Sequence, residues 1–192
     1  MLAFLLVLML LFVFQVATNL NIVARNGLID QIRRDQAKVK EAVSSLNRRY
    51  AAITISEPDG NSQEITLGSE ALFETGNAEL SDAGKELLSA LVQQIVEADV
   101  RTLKEVTVKG HTDDLAIRTS RFPSNWELST ARATKVVRFL TGDGGRQTGI
   151  DPRRVTLVAA GYAEFRPIDK SDRTRNRRIE LRLLYTNRPP GQ

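Results

Sequence analysis

The sequence predicts a two-layer α/β sandwich (an α+β arrangement) preceded by a single transmembrane helix and a helical linker. Three observations carry that prediction. Residues 1–17 are almost wholly apolar and carry no charge. From residue 52 onward, strand-like and helix-like segments alternate. The helices they predict are enough to cover one face of a sheet and leave the other open. The expected divisions are a membrane anchor over 1–20, a possibly coiled-coil linker over 21–51, a folded domain over 52–187 and a tail over 188–192.

The first element is "MLAFLLVLMLLFVFQVA", and no Lys, Arg, Asp or Glu precedes Arg25. Seventeen helical residues span about 25 Å, close to a hydrocarbon core of about 30 Å. A signal peptide should carry a positive leading region and a small-residue cleavage site. Neither is met, since the run opens without a cation and "FQVATN" is a poor site. A core helix would need a polar stripe, which is missing. A membrane anchor is therefore expected.

In the linker, Ile29, Ile32, Gln36, Val39, Val43, Leu46 and Tyr50 alternate at spacings of three and four, a heptad seam with one polar interruption. Two readings stand: a self-pairing stalk, and a lone amphipathic helix leaning on the domain.

The domain opens with "AITIS" and "EITL" around "EPDGNSQ", a hairpin signal. "ALFETGNAEL" reads as an irregular link. Ser81 then caps a helix with the stripe Leu87, Leu88, Leu91, Val92, Ile95 and Val96. "EVTVKG" is a strand stopping at Gly110, and "SNWE" opens, as a capping box, a helix running to about Thr141 that "GDGG" ends. "RRVTLVAAGY" reads as a third central strand. "RIELRLLY" alternates Ile179, Leu181 and Leu183 against Arg178, Glu180 and Arg182, as a sheet with one open face should.

Chemistry is bounded by what the composition holds. Cysteine is absent and histidine occurs once, as His111, which leaves no thiolate site and no histidine pair for a metal. Neither a nucleophile with an orienting base nor a metal cluster can be assembled, so an enzyme is not expected and no cofactor is implied. The basic cluster "RTRNRR" lacks interleaved aromatics and follows a membrane anchor, which argues against nucleic acid.

The charged groups collect at strand ends. Thr112, Asp113 and Asp114 follow His111, and the two acids should diverge rather than share a proton. Arg132 lies seven residues after Asn125, so two helical turns place both on one face. Asp113 and Arg132 admit two readings. They could form an ordinary exposed salt bridge of about 0–1 kcal/mol. Alternatively they could grip a zwitterion, the carboxylate taking an ammonium and the guanidinium fork a carboxylate.

The motifs "LFETGNAELSDAGKELL", "VKGHTDD", "NWELSTARATKVVRFL", "AAGYAEFRPI" and "NRRIELRLL" have the order and spacing of the OmpA-like peptidoglycan-binding domain, over roughly residues 53–185. "FPSNWELSTARA", with the anchor and heptad linker before it, resembles the MotB-type branch of flagellar stator B-subunits. The resemblance implies a ligand, the diaminopimelate of the peptidoglycan stem peptide. Asp113 would meet its ammonium and Arg132 its carboxylate, with Thr112, Asn125 and Leu128 lining the pocket and Arg178 flanking its floor. Phe73 would support the site from the core, and His111 would be structural. It further implies an inner-membrane, single-pass protein with a periplasmic C-terminal domain. Its partners would be peptidoglycan, a second copy of the chain and a polytopic MotA-like subunit. The alternative is a structural tether of the OmpA/Pal type without ion conduction. In one respect the chain departs from the branch, whose membrane helix carries an ion-binding Asp near its start; here no acid precedes Asp30. A stator subunit would then be expected to have an Asp immediately upstream of Met1.

Overall fold

A computed structural model describes residues 1–142 and 149–186, apart from the side chain of Leu2. Anchor and linker are one continuous helix, α1 (Leu2–Tyr50). At about 1.5 Å per residue it is about 74 Å long. Its first part is long and apolar enough to cross a membrane, with a mean hydropathy of 2.3 over an 18-residue window of which none is buried. It ends where Ala51 turns left-handed (φ 50°) and donates its N–H to Asn47 O.

A five-stranded sheet follows, ordered β1-β2-β5-β3-β4. The hairpin is present as β1 (Ile53–Ile55) and β2 (Ser62–Gly68), antiparallel in register Ile53 to Leu67, with Gly60 at φ 56° in its turn. A helical turn, α2 (Ser69–Leu72), follows; its last two residues begin the stretch that the sequence placed in irregular chain. Ser81 caps α3 (Asp82–Glu97) by accepting the Gly84 N–H at 3.0 Å. The α3 stripe is buried from Leu87 to Ile95, but Val96 is exposed, one residue past the contact face.

β3 (Leu103–His111) extends one residue past Gly110, so His111 is a strand residue. α4 (Asn125–Leu140) starts at Ser124, whose Oγ accepts the Trp126 N–H and bonds Glu127. The expected glycine stop is met at Gly142 (φ 78°); Asp143 to Gly145 and the tail 188–192 lie outside the described residues. β4 (Thr156–Gly161) pairs in parallel with β3 and forms the sheet edge, not a central strand; its residues are only half-buried or exposed. After the helical turn α5 (Arg173–Asn176), β5 (Arg178–Tyr185) takes the centre, antiparallel to β2 and β3.

α3, α4 and the second half of α1 pack on one face of the sheet, around Ile65, Leu67, Val106, Val108, Ile179, Leu181 and Leu183. The heptad seam is thereby occupied. Ile32, Val39, Val43 and Leu46 are buried in the core of their own chain, against β1 and α3. A coiled coil through these residues cannot coexist with that packing, because the same side chains cannot face two partners. Gln36, which would have set the register of a pair, instead donates to Gly60 O of the hairpin at 3.1 Å. Beside the seam, fully buried Asp35 accepts the Thr102 N–H (3.0 Å), the Thr102 hydroxyl (2.8 Å) and the Gln31 amide (2.9 Å).

Candidate ligand-binding cleft

The end of β3, the start of α4 and the segments around α2 and α5 enclose a cleft of about 330 Å³. Four of the predicted residues that line it are Thr112, Asp113, Asn125 and Arg132, and Leu128 is the fifth. One close glycine contact and two hydrogen bonds bring them together. A Cβ on Gly110 would stand 2.2 Å from Ser129 O, so α4 lies directly on the end of β3. Ser129 also accepts the Ala163 N–H, and Ala163 O accepts the Thr112 N–H at 2.9 Å.

Asn125 spends its amide on the loop 113–117. Its Oδ1 accepts Ile117 N–H (3.3 Å), and its Nδ2 donates to Leu115 O (3.1 Å) and, at 3.4 Å, to Asp113 O. It is therefore a brace for the Asp113 loop. Leu128 packs with Ala78 and Phe122 as an apolar wall. The Thr112 hydroxyl is buried in the cleft with no hydrogen-bond partner among the described residues.

Asp113 and Arg132 do not form a salt bridge with each other, so the bland reading of that pair fails. Asp113, 7% exposed, pairs with Arg177 at 2.7 Å and accepts the Leu115 N–H. Arg132, 5% exposed, is held by neutral oxygens: Asn77 O (2.8 Å), Ser69 Oγ (3.3 Å) and, more weakly, Glu74 O (3.5 Å). Its guanidinium lies 5.1 Å over the Phe73 ring, so Phe73 supports the site from beneath. Burial lowers the Arg132 pKa to about 10; the nearby Arg177 charge adds to the fall and Asp113 opposes it. The site thus holds a largely desolvated cation whose contacts are all uncharged. Asp114 does diverge from Asp113, meeting Arg173 at 2.6 Å on the surface.

Arg178 is not at this site. It is buried on the opposite side of the sheet, bonded to Glu180 (2.6 and 2.7 Å) and donating to Arg166 O and Asn176 O. Lys109 joins Glu180 at 3.2 Å, and His111 Nε2 lies 3.2 Å from the same carboxylate, not aligned as a hydrogen bond. Burial pushes the Glu180 pKa up, but His111 and Arg178 outweigh it and hold it at about 2. His111 also stacks on Tyr162, with ring centroids 5.2 Å apart.

Arg177 and Glu70 were not among the predicted site residues. Arg177 bridges Asp113 and Glu70 at the cleft edge, and these two carboxylates raise its pKa. Strand alternation held a usable signal. Arg178 shares parity with Glu180, on the face away from the helices, whereas Arg177 shares parity with Ile179, on the helix face that carries the cleft.

The OmpA family profile matches residues 72–179. Among curated proteins, the chain is 35% identical over 124 residues to the uncharacterized protein YtxE of Bacillus subtilis (strain 168), covering 61% of this chain and 46% of that one. It is 27% identical over 124 residues to Motility protein B of the same organism, covering 62% and 44%. The chain therefore spans less than half the length of these relatives. A MotB-like protein from Desulfovibrio vulgaris superposes with a TM-score of 0.69 at 28% identity, over 84% of this chain and 99% of that one. The two-layer fold, the ordered motifs and the profile agree: the chain belongs to the OmpA family and resembles its MotB-type branch.

Proposed function

We propose that the cleft binds peptidoglycan non-covalently by gripping the diaminopimelate side chain of its stem peptide. One observation carries this: a buried guanidinium, Arg132, has only neutral oxygens as direct partners, beside a buried carboxylate, Asp113. A ligand with an ammonium and a carboxylate on one carbon completes both. Asp113 receives the ammonium, sharing with Arg177. Arg132 offers its unused N–H groups to the carboxylate, and the Thr112 hydroxyl gains a partner. Asn125 holds the loop and Leu128 forms the apolar wall.

In this reading α1 anchors the protein once in the inner membrane, with the domain in the periplasm. The chain is the wall-anchoring subunit of a MotB-like, ion-driven stator, working with a polytopic MotA-like subunit and a second copy of itself. Since the seam is occupied, pairing uses the exposed stretch of α1 before Ile32. A structural tether of the OmpA/Pal type without ion flow is the second reading. Co-purification of a polytopic subunit with the full chain separates the two.

The ligand reading is tested by calorimetry on the full chain in nanodiscs. The probes are a stem tripeptide ending in diaminopimelate and its lysine analogue, which lacks the second carboxylate. The diaminopimelate peptide should bind and the lysine peptide should bind much more weakly. Asp113→Ala or Arg132→Lys should cost about 2 kcal/mol or more, roughly thirtyfold, through loss of a desolvated charge or of the fork. Equal binding of both peptides, or full affinity in both folded variants, rejects the reading.

A further inference from the structure

Trp126 and Phe165 are large, exposed and stacked on each other. The two residues are 49% and 62% exposed, with ring centroids 5.5 Å apart at 27°. Burying either ring would be favourable, so two adjacent aromatic faces left in water mark a surface kept for a partner.

The pair is also rigidly placed. Trp126 follows Asn125 in the first turn of α4, and Asn125 lines the cleft. Phe165 stands two residues after Ala163, which is fully buried and held at φ 48°, an unfavourable conformation for a residue with a Cβ. Both backbone groups of Ala163 are tied down, the N–H to Ser129 Oγ and the C=O to the N–H of the cleft residue Thr112. The Phe165 N–H returns to Tyr162 O, and Tyr162 stacks on His111. The same bonds that set the cleft loop therefore set the aromatic pair.

Its position narrows the partner. α1 packs on β1, one edge of the sheet, while the turn carrying Phe165 leaves β4, the other edge. The pair thus lies across the sheet from the helix that leads to the membrane. Glu127 and Arg166 adjoin the two rings in sequence and are exposed, which suits a ligand that is part apolar and part hydroxylic better than lipid.

We infer that Trp126 and Phe165 form a saccharide platform, taking a hexosamine ring of the glycan strand whose stem peptide enters the cleft. A pyranose presents axial C–H groups on its faces and polar groups around its edge. The electron-rich face of an aromatic ring attracts those C–H groups. This inference rests on the peptidoglycan reading of the cleft, and it makes the protein a reader of sugar and peptide together.

Trp126 is the chain's single tryptophan, so its fluorescence reports on the platform alone. The full chain in nanodiscs is titrated with three probes: a disaccharide–tripeptide ending in diaminopimelate, the same tripeptide without sugars, and N-acetylglucosamine trimer. The disaccharide–tripeptide should bind about five- to tenfold tighter than the bare peptide and shift Trp126 emission, as stacking of one ring predicts. Phe165→Ala and Trp126→Ala, the latter followed by calorimetry, should erase that ratio and leave bare-peptide affinity unchanged. Asp113→Ala should weaken both peptides and leave the Trp126 response to the sugar trimer intact.

Equal affinity for the two peptides with unmoved Trp126 emission overturns the platform and leaves the cleft reading standing. A Trp126 response to sugar without any binding of the bare peptide overturns the cleft reading and supports the platform. An emission already typical of lipid burial, unmoved by every saccharide, overturns the platform in favour of the membrane.

Discussion

Replacing Val39 and Val43 with alanine tests whether α1 belongs to the core of its own chain. Both side chains are fully buried, on the face of α1 that meets β1 and α3. Each substitution removes two methyl groups, worth about 0.8 kcal/mol apiece in transfer alone, and leaves a small cavity. About 2 kcal/mol each follows, and somewhat less than about 4 kcal/mol for the pair, since neighbours one turn apart share a cavity. For a chain of this size, at about 2–4 °C per kcal/mol, the double variant should melt about 10 °C lower. The assay is thermal unfolding of the full chain in detergent micelles, followed by near-ultraviolet circular dichroism at several protein-to-detergent ratios. Val96→Ala, at a position 43% exposed on α3, is the control and should leave the midpoint almost unmoved. An intrachain seam gives the same shift between parent and double variant at every protein concentration, whereas a seam buried between two copies gives a shift that changes with concentration. A double variant that melts with its parent, or a shift that changes with concentration, refutes the packing argument.

Two further outcomes follow from the geometry. Gly110→Ala forces a Cβ to within 2.2 Å of Ser129 O, so α4 must move off β3; a loss of about 1–3 kcal/mol in chemical denaturation and weaker ligand binding by calorimetry are expected together. Glu180, held at about 2 against an ordinary 4.5, stabilises the fold above pH 4.5, and that contribution is lost as pH falls toward 2. Glu180→Gln should therefore lower the melting midpoint at pH 7 and flatten its decline between pH 4.5 and 2, read by unfolding curves across that range.

Local rules made much of the fold legible. The hairpin, the Ser81 and Ser124 caps and the alternation of β5 all depend on chemistry within a few residues. Two helical turns put Asn125 and Arg132 on one face, and all three of Asp113, Asn125 and Arg132 line one cleft; their reading as a single ligand site came from the family resemblance, not from spacing alone. The strand order was not legible. It makes β5 the centre and β4 the edge, and depends on pairings between residues far apart in the chain.

By itself the sequence determined that residues 29–50 form an amphipathic helix, since a repeat of three and four places one apolar line along it. It did not determine what that line meets. A second copy and the chain's own domain both offer apolar surface, and the hydrophobic effect is non-directional. Tertiary structure decided for the domain, where Gly60 O and Thr102 also satisfy Gln36 and Asp35. The arginines divide the same way. The sequence placed Arg177 and Arg178 side by side, but the direction of β5 sends one to Asp113 and the other to Glu180 through the opposite face of the sheet.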